Sequence, residues 1–137
     1  MSKVLVTGGA GYIGAHVAAE LLTEGYSVRI YDDFSNGLHK RVDGKFRDII
    51  DSDILDREKL LQAMHGVDAV IHLAAKKSVF ESQENPTYYH QQNVQGTNRL
   101  IDAMSQLSIS NLIFASTAAV YAPCNYKVSE QAPLGPM

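Results

Sequence analysis

Tryptophan is absent from the 137-residue chain and cysteine occurs once, at Cys124. A single thiol rules out an intrachain disulfide and a cysteine-cluster metal site, so Cys124 is given no role and no metal site is assigned. Positive charge is sparse: the net charge is −3, and the densest basic stretch is the scattered His39-Lys40-Arg41. Nothing in that pattern offers a footprint for a phosphate backbone, and nucleic acid is not expected as a partner. Long apolar runs are missing too. The first apolar segment is a five-residue strand (residues 3–7) with no charged leader, and no stretch approaches the roughly 20 apolar residues of a membrane span. The expectation is a cytoplasmic protein with no membrane contact. Internal repeats and low-complexity tracts are also lacking, and 15.0 kDa is the ordinary size of one domain with a real core.

What is present begins at the amino end. Thr7-Gly8-Gly9-Ala10-Gly11-Tyr12-Ile13-Gly14 follows the apolar run Val4-Leu5-Val6 and opens an amphipathic segment. Glycines there let the backbone turn sharply and approach a pyrophosphate, while the N–H groups and positive dipole end of the next helix attract its charge. Two registers overlap, one through Gly9, Gly11 and Gly14 and one through Gly8, Gly11 and Gly14. The next apolar run, Val28-Arg29-Ile30-Tyr31, ends in Asp32, at about the twenty-residue offset of a carboxylate that binds ribose hydroxyls. A carboxylate repels a 2′-phosphate, so the expected cofactor is NAD rather than NADP. A solvated turn after a strand is the lesser alternative for Asp32-Asp33, given the glycine turn before it.

Strand-like and helix-like stretches alternate along the chain, the signature of an α/β fold. Strands are predicted at residues 3–7, 27–31, 46–50, 68–73 and 111–115. The first helix carries Ile13, Val17, Ala18, Leu21 and Leu22 on one face; residues 33–44 read as a polar loop. Asp56 caps a short helix with Leu60, Leu61 and Met64, closed by Gly66. Asn85-Pro86 starts a long helix to residue 107, with Tyr89, Asn93, Gly96, Leu100, Ala103, Met104 and Leu107 at helical spacing. Right-handed crossovers then give a doubly wound parallel sheet, a Rossmann domain, of order 3-2-1-4-5. Ligands bind at the carboxyl ends of such strands. Asp53-Ile54 lies at one of them, where an adenine contact and an ordinary strand-to-helix turn fit the spacing equally. His72 is assigned to packing or a local hydrogen bond.

These residues resemble the extended short-chain dehydrogenase/reductase family and, within it, the UDP-glucose 4-epimerases. Besides the glycine turn, the resemblance rests on Asp32-Asp33-Phe34-Ser35-Asn36-Gly37 and on the run from His72 to Ser82. Within that run Lys77-x-Val79-x-Glu81-Ser82 discriminates against the family's dehydratases. Pro86-x-x-Tyr89, Asn93-Val94-x-Gly96-Thr97 and the run from Phe114 to Tyr121 complete it. The resemblance implies that the Tyr12-Ile13 backbone, with Gly8, Gly11 and Gly14, holds the pyrophosphate. Asp32 would hold the adenosine ribose, with Asp33, Asn36 and Leu73 in the same cofactor set, and Asp53-Ile54 the adenine. Lys77 and Asn93 would face the nicotinamide; for Asn93, on the inward face of its helix, the alternative is a buried amide bonded to backbone. Thr117 matches the serine or threonine that hydrogen-bonds the reacting sugar hydroxyl. A UDP-sugar substrate and a homodimer follow for the intact enzyme.

The sequence departs from that pattern in one respect that matters for chemistry. The family's general base is a tyrosine with a lysine four residues later, and none of the seven tyrosines here has one. Ser129-Glu130-x-Ala132-Pro133-Leu134-Gly135-Pro136 resembles the segment just before the helix that carries this pair. The expectation is residues 1–137 as one incomplete NAD-binding domain, inactive alone, with the Tyr89, Asn93, Leu100 and Met104 region uncovered. Gln92 stands where asparagine is common, and Ala122 where glycine is. Another NAD-dependent sugar-nucleotide enzyme, a dehydratase or reductase, and a non-catalytic NAD-binding module remain as alternatives.

Overall fold

In the computed structural model, Val4, Leu5 and Val6 of strand β1 (Lys3–Thr7) are all buried, because β1 is the middle strand of the sheet. It pairs in parallel with β2 (Ser27–Asp32) on one side and β4 (Ala69–His72) on the other. β3 (Asp48–Asp51) and β5 (Asn111–Phe114) complete the order β3-β2-β1-β4-β5, as predicted. The structure describes residues 1–125 and 127–136; Tyr126, one of the seven tyrosines without a lysine four residues on, and Met137 lie outside the described residues.

Strand alternation divides the core in two. Val4, Val6, Ile30 and Ile71 pack on one face with α1 (Tyr12–Thr23) and α2 (His39–Val42). Leu5, Tyr31 and Val70 pack on the other with α3 (Arg57–Met64) and α6 (Gly96–Gln106), through Leu60, Met64, Leu100 and Met104. Asp56 caps α3 as expected, accepting from the Lys59 N–H at 3.0 Å, and Gly66 adopts φ +70° after it.

Four local expectations are corrected. α1 does not bury Ile13, which is 64% exposed, or Leu22; it docks through Gly14, Ala15 and Ala18, because small residues let the helix lie close against the glycine turn. The polar loop contains α2, whose Val42 is fully buried and holds that loop against the sheet. The third strand starts at Asp48 rather than 46, and Phe46 is a buried plug ahead of it. The long helix runs without a break from residue 86 to 106 as expected, but it is not α-helical throughout: α5 (Pro86–His90) passes through a π turn (Gln91–Gln95) into α6, and an unforeseen α4 (Val79–Glu84) capped by Ser78 precedes it.

Tyr89, Leu100 and Met104 are not uncovered: Leu100 and Met104 are buried in the core on the sheet, and Tyr89 is buried beside α4, its hydroxyl bonded to Ser78 and Glu81. Tyr88, Val94 and Ile101 are the apolar residues that face outward. No helix among the described residues is long and apolar enough to cross a membrane.

Candidate functional site

The glycine turn is shaped by contacts that leave no room for side chains. Gly8 has φ +69°, and a Cβ on it would lie 2.7 Å from the Ala74 backbone nitrogen. A Cβ on Gly14 would lie 2.1 Å from the Gly8 carbonyl oxygen, so α1 begins pressed onto the turn itself. Gly11 caps α1 without a side-chain bond, so no capping side chain competes for the N–H groups of its first turn, the donors that a bound anion uses.

Above this turn the carboxyl ends of β1, β2, β3 and β4 enclose a cavity of about 460 Å³. Gly8, Gly11, Tyr12, Ile13 and Gly14 form its floor. Asp32, Asp33 and Asn36 line the β2 side, and Ile54 the β3 side; Leu73 and Lys77 close it from β4. Asp53 does not line it. Its carboxylate sits behind the wall, accepting from the Leu55 N–H at 2.8 Å and from Gln92 Nε2 at 3.0 Å.

Asp32 is only 7% exposed, and the Ala10 and Phe34 N–H groups each donate to it at 2.9 Å. Burial pushes its carboxyl above the usual range; the two N–H donors oppose that shift without cancelling it. Neighbouring Asp33 goes the other way. Burial would raise it, but the Ser35 hydroxyl and N–H and the Lys76 ammonium hold it below the usual carboxylate range. Lys76 reaches over from the β4 loop, its Nζ 3.5 Å from Asp33 and donating also to Ser35 Oγ. It thereby joins two loops across the mouth.

A second cavity of about 640 Å³ lies on the β4–β5 side and shares the segment from Leu73 to Lys77 with the first. Thr117 and Asn93 line it. Thr117 Oγ1 accepts the Ala119 N–H at 3.2 Å, which leaves its own proton to donate. Asn93 is half-buried, and its amide is engaged at both ends, accepting from Lys76 N–H at 2.8 Å and donating to the Lys76 carbonyl at 2.9 Å. It therefore fixes the backbone that carries Lys77.

His72 joins this scaffold by a hydrogen-bonded chain that sequence spacing does not show. Thr97 Oγ1 donates to the Asn93 carbonyl at 2.6 Å, so toward His72 it accepts, from Nε2–H at 3.0 Å. Nδ1 is then the acceptor of the Thr7 hydroxyl at 2.6 Å. Burial depresses the His72 pKa to about 4, consistent with this neutral imidazole. The structural assignment of His72 holds. The sequence gives Lys76, Gln92 and Thr97 no site role, although Gln92 stands out as a departure from the family pattern and Thr97 belongs to one of its motifs.

The parallel sheet and its glycine turn define a Rossmann-type domain, with an open crevice at the strand ends. The sequence profile described as the NAD-dependent epimerase/dehydratase family matches residues 4–137, and the chain belongs to that family. It is 39% identical over 141 residues to the UDP-glucose 4-epimerase of Bacillus subtilis, covering 96% of this chain and 42% of that protein. It is 40% identical over 127 residues to a UDP-glucose 4-epimerase of Klebsiella pneumoniae, covering 87% of this chain and 91% of that one. Among solved structures, the UDP-glucose 4-epimerase of Stenotrophomonas maltophila, with bound NAD and formylated UDP-arabinopyranose, superimposes with a TM-score of 0.91 at 38% identity, over 100% of this chain and 44% of that one. The Brucella ovis enzyme in complex with NAD gives 0.90 at 38% identity, over 100% and 42%. The chain thus spans about two-fifths of the length of most of these relatives.

Proposed function

We propose that the chain is the NAD-binding part of a UDP-glucose 4-epimerase, the enzyme that interconverts UDP-glucose and UDP-galactose through a 4-keto sugar. The observation that carries the reading is the buried Asp32 facing a glycine turn too tight for any Cβ at Gly8 or Gly14. That cradle fits a dinucleotide. Gly8, Gly11 and Gly14 let the backbone at Tyr12 and Ile13 approach a pyrophosphate, and Asp32, with Asp33 and Asn36 beside it, accepts the ribose hydroxyls. Ile54 lies where the base would sit, and Leu73 would hold the cofactor from the β4 side of the same cavity.

When bound, NAD takes up a hydride from the sugar and returns it. The residues of this chain orient and charge the site. Lys77 sits between the two cavities, where its ammonium can meet both cofactor and sugar diphosphate. Asn93 fixes Lys77 through the Lys76 backbone, and Thr117 offers its hydroxyl to the sugar's 4-oxygen in the second cavity. The sequence holds no tyrosine with a lysine four residues on, so the chain by itself is taken to bind the cofactor without turning over a UDP-sugar. A cytoplasmic place, a role in galactose metabolism and a homodimer in the whole enzyme belong to the same reading.

Calorimetric titration of the purified chain with NAD and with NADP tests it. The expected result is measurable binding of NAD and at least tenfold weaker binding of NADP, as one unfavourable charge contact of about 1.4 kcal/mol would give. Equal or tighter NADP binding would overturn the role of Asp32; absence of both would overturn the proposal for this chain.

A further inference from the structure

Resting on the NAD reading above, we propose that Lys76, bridged to Asp33 and Ser35, is a strap that closes over the bound cofactor and slows its exchange in both directions without setting its affinity.

The strand order puts the strap over the turn. Asp33 and Ser35 follow β2, Lys76 follows β4, and β1 lies between those two strands. Neighbouring strands are about 4.8 Å apart, so a bond between the two loops spans roughly 10 Å above the β1 turn. All three strap residues line the first cavity, whose floor is that same turn. A diphosphate seated on the floor therefore lies beneath the strap.

The bonds form a closed ring. Lys76 Nζ lies 3.5 Å from Asp33 Oδ2 and donates also to Ser35 Oγ. Ser35 in turn donates its hydroxyl and its N–H to Asp33 Oδ1, at 2.5 and 3.0 Å. The Lys76 side chain is only 10% exposed, which is unlike a lysine solvated on a loop. Burial would lower its pKa, but the Asp33 carboxylate, with Tyr88 nearby, raises it above the ordinary value. Asp33 is held below its own ordinary value, so both ends of the strap are ionised at neutral pH.

Only the strap has to move. Asn93 holds the Lys76 backbone from both sides, at its N–H and its carbonyl. The β2 loop is held by Asp32, which accepts from the Ala10 and Phe34 N–H groups, and by the Leu38 N–H on the Ala10 carbonyl. The way out opens by rotation of a lysine stem, with no backbone displaced. Because the strap makes the same bonds over an empty floor as over a full one, opening it costs the same in association and in release. That cost slows both rates and cancels in the dissociation constant. Retention suits a cofactor that is reduced and reoxidised within one cycle, since loss of the reduced form would stop the cycle.

The probe is NADH, whose own fluorescence can be followed in a chain without tryptophan. Stopped-flow mixing gives its association rate, and displacement by excess NAD gives its release rate, for the full chain and for Lys76→Met, Lys76→Gln and Lys76→Arg. Loss of one charge-assisted bridge predicts a rise of roughly five- to tenfold in both rates for Lys76→Met, with the dissociation constant unchanged within about twofold. Lys76→Arg keeps a cation of similar reach and should keep both rates slow. If Lys76→Met fails to fold by circular dichroism, Lys76→Gln decides with the same expected rise. Unchanged rates in the folded neutral variant overturn the inference alone. So does faster release without faster association, which would assign the ammonium a direct bond to the diphosphate. A parent chain that binds neither NADH nor NAD overturns the reading beneath it as well.

Discussion

At Gly14 a single methyl group decides whether the turn can form. With the Gly8 oxygen 2.1 Å from its Cβ position, Gly14→Ala must push α1 off the turn, and about 2 to 3 kcal/mol of stability should be lost with NAD binding. Gly25 provides the contrast: nothing lies within 4 Å of its Cβ position, so only its φ of +83° is strained. Gly25→Ala should cost about 1 kcal/mol and leave binding intact, as urea unfolding and titration of both variants would show. His72 governs acid stability. Its folded pKa of about 4 lies below the ordinary value of 6.5, so the unfolded chain takes up a proton first as pH falls. The contribution of His72 is complete above pH 6.5 and is lost toward pH 4, about 3 kcal/mol in all. Asp48 and Asp33, whose pKa values are lowered, act below that window, and Asp32, whose pKa is raised, works in the opposite sense. Urea midpoints should fall across this range, and His72→Gln should flatten the fall.

Among the elements, α3 shows how a sequence signal becomes stability. Asp56 accepts the Lys59 N–H at 3.0 Å, satisfying one of the donors that a helix start leaves open. Asp56→Ala should cost about 1 kcal/mol in chemical denaturation, with Asp56→Asn retaining most of it. The helix runs of the first and last thirds were less legible. The apolar spacing of Ile13 and Leu22 matched a buried stripe, but the requirement for close approach at the glycine turn gave the contact to Gly14, Ala15 and Ala18. Likewise the helical spacing of Leu100, Ala103 and Met104 matches the face that packs in the core, while the π turn ahead of them depends on where Asp53 and Lys76 lie.

For the molecule as a whole, the exposed apolar surface lies on the β5 side. β5 ends the sheet with Ile113 and Phe114 63% and 54% exposed, and Val94 and Ile101 are outward on the neighbouring helical segments. An apolar strand at a sheet edge is a template for pairing. The chain should self-associate at micromolar concentration and bind a hydrophobic dye, and Phe114→Asp should weaken both. A compact, dye-silent monomer in light scattering would contradict this.

The sequence alone determined the order of strands, the glycine turn and Asp32 at the end of β2, because each follows from the spacing of strands, turns and helices along the chain. Only the tertiary structure decided which loops share a cavity and what holds them. The bonds from Thr7 to His72, from Gln92 to Asp53 and from Lys76 to Asp33 join residues 65, 39 and 43 positions apart. Parallel strands connected by crossovers bring distant strand ends to one edge, and no local pattern records which side chains meet there.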